Sequence, residues 1–105
     1  MAHLIWTQQA FGDLEKICEF IAEDSESYAR LFALKVIASI EKLKLFPRSG
    51  RMVPEINRAA IREILLGDYR IIYRIKGDEI QIISVYHSAR ILTASSILKK
   101  HKSSL

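Results

Sequence analysis

The sequence predicts an α+β fold: an N-terminal antiparallel helical hairpin packed on a small, mainly antiparallel four-stranded sheet that ends in a three-stranded meander. Three observations carry this. Apolar residues recur at spacings of three and four between Ala10 and Leu45, as on the buried faces of two helices. Only the short polar stretch Asp24-Ser25-Glu26-Ser27 separates the two runs, which makes the helices antiparallel neighbours. Later, Gly67-Asp68 and Gly77-Asp78 divide a stretch rich in Ile, Val and Tyr into three runs, and glycine supplies the positive φ that two-residue hairpin turns require. With 105 residues, half of them hydrophobic, residues 1–105 read as one domain able to bury its own core.

Taken in order, His3-Leu4-Ile5-Trp6 is a first strand and Thr7 a helix N-cap, its hydroxyl accepting from an amide one turn on. Ala10, Phe11, Leu14, Ile17, Cys18 and Ile21 form the apolar face of a helix running to about Glu23. A second helix is expected from about Ser27 to Leu45, with Phe32, Val36, Ile40 and Leu43 as its main stripe. Leu31, Leu34, Ile37 and Leu45 widen that stripe, and covering the sheet is their expected role, ahead of receiving a partner helix. Phe46-Pro47 ends the helix, because a residue before proline is disfavoured in the helical region. Arg48-Ser49-Gly50-Arg51 reads as a turn, and an irregular segment follows to Arg58. At the far end, Ile91, Leu92, Ala94, Ile97 and Leu98 can form a short helix, with Lys99, Lys100 and Lys102 at its C-terminal end.

The two turns fix a register for the meander. A two-residue loop at Gly77-Asp78 sets Lys76 opposite Glu79, Arg74 opposite Gln81, Ile72 opposite Ile83 and Arg70 opposite Val85. Since alternate residues of a strand share a face, Arg70, Ile72 and Arg74 fall with Ile83, Val85 and His87. Tyr69, Ile71, Tyr73 and Ile75 fall on the other side with Ile80, Ile82 and Tyr86, the more apolar side that should meet the helices. The turn at Gly67-Asp68 sets Glu63 opposite Ile72, which gathers Glu63, Arg70, Arg74 and His87 on one exposed face.

Charge and composition narrow the function classes. The formal net charge of +4 is uneven: residues 1–46 carry five Lys or Arg against seven Asp or Glu, whereas residues 47–76 carry seven against three. The central turn and sheet therefore favour an anionic partner. The lone Cys18 has no internal disulfide partner and reads as a buried core residue, in keeping with a reducing cytoplasm. No apolar run approaches the ~20 residues of a membrane span. Met1 to Trp6 lacks the basic region and apolar block of a signal peptide, so a cytoplasmic location is expected. No cofactor or metal site is expected.

The Glu63, Arg70, Arg74 and His87 cluster has two readings. One is a cross-strand ion pair of Glu63 between Arg70 and Arg74, which at a solvated surface contributes only ~0–1 kcal/mol. The other is a site that cleaves RNA or binds phosphate. Cleavage of a phosphodiester by its own 2′-hydroxyl needs a base, an acid and cations around the developing phosphorane charge, and Glu63, His87 and Arg70 are suitable types for these roles.

Along nearly its whole length the chain resembles the ParE/RelE superfamily of type II toxin–antitoxin toxins. The resemblance rests on Trp6-Thr7 leading into Ala10, Asp13-Leu14 and Ile17; on Pro47-Arg48-Ser49-Gly50-Arg51 with Val53-Pro54-Glu55; on Arg62-Glu63; on Tyr69-Arg70-Ile71-Ile72-Tyr73-Arg74-Ile75; and on Val85-Tyr86-His87-Ser88-Ala89-Arg90. It implies a protein that arrests growth when freed from a cognate antitoxin, with which it forms a hetero-oligomer. ParE-like members poison DNA gyrase, whereas RelE-like members cut mRNA on the ribosome. The Pro-Arg-Ser-Gly-Arg turn and the Val-x-His-x-x-Arg ending look more like the ParE branch, which implies a gyrase-binding toxin, a role associated with plasmid stabilization, without chemistry of its own. On that reading Arg51, Arg70, Arg74 and Arg90 form the target-binding set. The alternative is a ribosome-dependent mRNA interferase with Arg70, His87 and Glu63 as catalytic residues, and a third reading keeps antitoxin binding without toxicity.

Overall fold

The computed structural model describes residues 1–88 and Ile97. Strand β1 (His3–Trp6) leads into helices α1 (Gln8–Ala22) and α2 (Glu26–Glu41), and a short 3-10 turn (Lys42–Lys44) follows. Strands β2 (Arg51–Met52), β3 (Ile61–Leu66), β4 (Tyr69–Lys76) and β5 (Glu79–His87) complete the described elements. The sheet has five strands in the order β1-β5-β4-β3-β2. β1 runs parallel to β5, and the other pairs are antiparallel. The α+β class and the helical hairpin are as expected, but the sheet gains a fifth strand.

That strand begins inside the expected Arg48–Arg51 turn, where Arg51 pairs with Glu63 and Met52 with Arg62. Such a short strand has no readable alternation. Side chains hold it instead: Arg62 donates to the carbonyls of Gly50 and Arg48, and Nε of the same residue donates to Ala59 O. Gly50 sits so close to β3 and β4 that a Cβ there would lie 2.6 Å from both the Glu63 carbonyl oxygen and the Tyr73 hydroxyl. Tyr73 Oη donates to Pro47 O at 2.7 Å and accepts the Gly50 N–H at 3.0 Å, which ties the turn to the sheet centre.

Both helices are capped by hydroxyls. Thr7 Oγ1 accepts the Ala10 amide at 3.1 Å and donates to Ile82 O at 2.8 Å, so one side chain starts α1 and fastens it to β5. Ser25 Oγ accepts the Tyr28 amide and starts α2 one residue earlier than expected. α2 also ends at Glu41, and the 3-10 turn occupies part of the remaining span to Leu45.

The core lies on both faces of the sheet. Between the helices and the sheet are Ala10, Phe32, Val36, Ile40 and Leu43 with Ile71, Tyr73, Ile80, Ile82 and Val85, so the main α2 stripe is buried as expected. On the opposite face Val53, Ile61, Ile72, Ile83 and Tyr86 enclose Ile97, which is helical and fully buried. The other expected tail-helix residues, and Lys99, Lys100 and Lys102, lie outside the described residues. Leu31, Leu34, Ile37 and Leu45 do not cover the sheet. They are exposed, Leu34 at 59%, because the four buried positions already fill the contact. Phe11 also faces outward, and Cys18 is only half-buried, its thiol pushed to higher pKa by desolvation.

The meander register holds at one end and shifts at the other. Both turns adopt the expected positive φ at Gly67 and Gly77, and Glu63 lies opposite Ile72. Between Lys76↔Glu79 and Tyr73↔Ile82 the β4–β5 pairing is as deduced. Beyond it Ile72 meets Ser84, Arg70 meets Tyr86 and Tyr69 meets His87, so Ile83 is an extra residue in β5. Asp13 of α1 explains why the bulge persists. Its Oδ2 accepts the Val85 N–H at 3.0 Å and the Ser84 hydroxyl at 2.9 Å, and its Oδ1 accepts from Gln9.

Asp13→Ala removes the acceptor for two bulge donors and should destabilise the fold by about 1–3 kcal/mol in urea unfolding. Amide exchange should accelerate at Val85 and remain unchanged across β1. A second outcome concerns pH. Burial pushes the Tyr73 phenol above its ordinary value, against smaller lowering effects of the Gly50 N–H and the Arg62 charge. The unfolded phenol then loses its proton first, so stability should fall as pH rises through about 10. Tyr73→Phe should flatten that alkaline slope, as read from unfolding midpoints across pH.

Candidate functional site

The face of the sheet opposite the helices carries the ionisable cluster, but its membership differs from the one expected. Glu63 on β3 and Arg70 and Ile72 on β4 share this face, and Arg74 follows Ile72 in the same alternation. His87 does not join them. The extra residue in β5 turns Tyr86 to this face and Val85 to the helix side, reversing the expected assignment of both. His87 goes with Val85, and its ring meets Tyr69 edge-on at 5.5 Å, while Tyr69 leans on Phe32 of α2. A single inserted residue reverses every side chain beyond it.

The cluster is also buried rather than exposed. Glu63 is 1% and Arg70 5% exposed. Glu63 lies between Arg70 and Arg51, not between Arg70 and Arg74: Arg70 Nε donates to Oε1 at 2.6 Å and Arg51 Nε to Oε2 at 2.5 Å. The two terminal nitrogens of Arg70 each donate to one oxygen of Glu55 at 2.8 Å. Among the described residues these contacts form a chain, Arg51–Glu63–Arg70–Glu55, linking β2, β3, β4 and the irregular segment after β2. The Glu55 contact most strongly holds the Arg70 guanidinium pKa above its ordinary value, desolvation works against it, and Glu63 adds to the rise.

Burial changes what this pairing contributes. At a solvated surface such a pair contributes little, whereas a charge removed from water requires its partner, and deletion of one member leaves the other uncompensated. Arg51 stands at the solvent end with its side chain 56% exposed. Arg74 is half-buried, opposite Ile61 and Gln81. Arg90 lies outside the described residues. Arg48 and Arg58 are exposed on the segments flanking β2, so the outer rim of this region carries several guanidinium groups.

Glu55, Asp13 and Arg62 lie in stretches that carry the superfamily resemblance, yet the sequence alone assigns none of them a role. Glu55 comes from a segment without periodicity, although it is the only acid between residues 47 and 62, among four arginines. Asp13 and Arg62 act on backbone groups at a bulge and a turn, and neither geometry has a local sequence pattern. Among the described residues no group of His, Cys, Asp and Glu is arranged to hold a metal ion.

Residues 4–92 match the family model described as the ParE toxin of the type II toxin–antitoxin system parDE. The chain belongs to the ParE toxin family. It is thus the toxin component of a type II toxin–antitoxin system, within the wider ParE/RelE superfamily. A similar ParE/RelE protein, Toxin RelE2 of Caulobacter vibrioides, is 29% identical over 92 residues, which span 87% of this chain and 100% of that relative. A solved structure described as the chromosomal ParDE TA system from P. aeruginosa has the same fold, with a TM-score of 0.69 and 23% identity over 83% of this chain and 96% of that one.

Glu63→Gln leaves two guanidinium groups facing one carboxylate and should cost about 3–5 kcal/mol in chemical denaturation. Arg51→Ala, which leaves Arg70 on the buried carboxylate, should cost less, about 1–3 kcal/mol. Equal losses in the two variants would contradict the buried hierarchy.

Proposed function

We propose that this ParE-family toxin arrests growth by binding DNA gyrase and inhibiting it, and that a cognate antitoxin neutralises it through a hetero-oligomeric complex in the cytoplasm. The observation that carries this reading is the separation of the chemical groups. Glu63 and Arg70 are committed to one another and to Arg51 and Glu55, and His87 lies across the sheet beside Tyr69. A proton donor, a proton acceptor and a phosphate-binding cation must meet around one scissile bond for general acid–base cleavage. What the region offers to solvent instead is a rim of guanidinium groups, Arg51 among them, on a rigid sheet edge, and this suits recognition of an anionic surface. Arg51 and Arg74 serve as target-binding residues in this reading, with Arg90 as a further member. No helix among the described residues is long and apolar enough to cross a membrane.

The antitoxin needs a different surface. α2 leaves Leu31, Leu34 and Ile37 exposed, and Phe11 of α1 stands exposed as well. An amphipathic antitoxin segment would cover these residues, while its acidic side chains would meet the basic rim.

Two assays on purified toxin test the target. Gyrase supercoiling should be inhibited, with Arg51→Ala and Arg74→Ala weakening inhibition about tenfold each, while mRNA on programmed ribosomes should stay intact. Codon-dependent cuts abolished by Arg70→Ala would overturn the gyrase reading in favour of an mRNA interferase. Failure in both assays with antitoxin binding retained would identify a toxin fold without toxicity.

A further inference from the structure

Strands β1 and β2 are the two edges of the sheet, and they are protected differently. β2 has two residues, one of them the ion-paired Arg51. β1 has four, His3-Leu4-Ile5-Trp6, without the proline, lysine or bulge that ordinarily keeps an edge strand from pairing. The amides of His3 and Thr7 donate to the carbonyls of Asp78 and Ile82, so the odd-numbered residues turn toward β5. Leu4 and Trp6 therefore point their N–H and C=O groups away from the sheet, and among the described residues they form no hydrogen bond there. Ala2, of the same parity, is already occupied, its amide donating to Lys44 O.

This edge is self-complementary. When two copies pair antiparallel about a two-fold axis through Ile5, Leu4 of each exchanges hydrogen bonds with Trp6 of the other, and every open group of the edge is satisfied. Ile5, 39% exposed on the face opposite the helices, then meets its counterpart in the non-hydrogen-bonded position, where side chains stand closest. On the helix side, Leu4 and Trp6 lie beside Trp6 and Leu4 of the second copy. Two grooves that share Trp6 flank the edge there. One, of about 410 Å³, is lined by Phe11, Leu14 and Ile37, and the other, of about 450 Å³, lies beside Met1, Ala2 and Lys44. The chain after Trp6 of one copy runs alongside Ala2 and Met1 of the other, which brings exposed Phe11 to the second groove.

Charge selects the occupant. A chain of net charge +4 repels its own copy unless the contact itself is close to neutral. Beside β1, Lys44 is paired with Glu41 at 3.0 Å and His3 stands 3.8 Å from Asp78. An anionic partner is drawn instead to the arginine rim around β2, at the opposite edge of the sheet. We propose that the free toxin forms a two-fold dimer by antiparallel pairing of its β1 strands, with Ile5 at the dyad, which joins two five-stranded sheets into one. Antitoxin and second copy compete for Phe11 and Ile37, so this dimer is a state of the toxin without its antitoxin, whatever its target.

Sedimentation equilibrium of the free toxin under reducing conditions should show a concentration-dependent monomer–dimer equilibrium. Ile5→Lys sets like charges face to face at the dyad and should weaken dimerisation about tenfold or more. Disulfide trapping reads the register directly. In a Cys18→Ser background, Ile5→Cys should oxidise to a covalent dimer, because side chains paired at this position lie within disulfide reach. His3→Cys, on the same face but further from the dyad, should remain monomeric. The Leu4 and Trp6 amides should exchange more slowly as toxin concentration rises. A toxin monomeric at every concentration would overturn the proposal, as would equal cross-linking of the two cysteine variants or a dimer indifferent to Ile5→Lys. Protection of the Leu4 and Trp6 amides only when cognate antitoxin is added would assign the edge to the antitoxin, and the proposal would fail. Trapping of Ile5→Cys decides the matter even where Ile5→Lys does not fold.

Discussion

Glu63 is a carboxylate with no exposed surface in the middle of a β-strand, and much of this structure follows from compensating it. Arg70 on the adjacent strand and Arg51 on the short edge strand each take one of its oxygens. Arg70 then has two terminal nitrogens to satisfy in a nearly dry environment, and Glu55 is drawn onto them from a segment without regular structure. The ion-pair chain thereby fastens the irregular residues after β2 to the sheet. The edge strand, too short to be stable by its own ladder, is held by this pairing and by the grip of Arg62 on the carbonyls of Arg48 and Gly50.

A second constraint acts from the helix side. The Asp13 carboxylate accepts from Ser84 and Val85, satisfying donors that the bulge in β5 would otherwise leave without partners. The bulge decides which face Val85, Tyr86 and His87 occupy. Tyr86 helps to close the second core around Ile72, Ile83 and Ile97, while Val85 joins the first. Helix α1 thus influences the chemistry available on a face of the sheet that it does not touch. The ion-pair chain holds one group of ionisable residues in place, and the bulge sends the histidine elsewhere.

Much of the fold was legible because it rests on local rules. Periodicity identified the α2 stripe from Phe32 to Leu43, a hydroxyl marked the start of α1 at Thr7, and Gly67 and Gly77 located the turns. Counting outward from Gly77 placed the register correctly as far as Tyr73. It failed beyond because the bulge depends on Asp13, some 70 residues away in sequence, as the hydrogen-bond separation of 71 between Asp13 and Ser84 shows. The burial of Glu63 and Arg70 was hidden for a similar reason. Alternation assigns a residue to a face, but it does not say what covers that face, and here Val53, Tyr86 and Ile97 converge from distant parts of the chain. Membership of the ParE family establishes the toxin role and, with it, the expectation of an antitoxin.

The binding reading depends on His87 being kept apart from Glu63 and Arg70. Nuclear Overhauser contacts of the His87 ring protons in the free toxin address it most directly. Contacts to the Tyr69 ring, with none to the side chains of Arg70 or Glu63, are the predicted result. Contacts to Arg70 or Glu63 in place of Tyr69 would mean that β5 runs without its bulge, and the separation on which the binding reading rests would be contradicted.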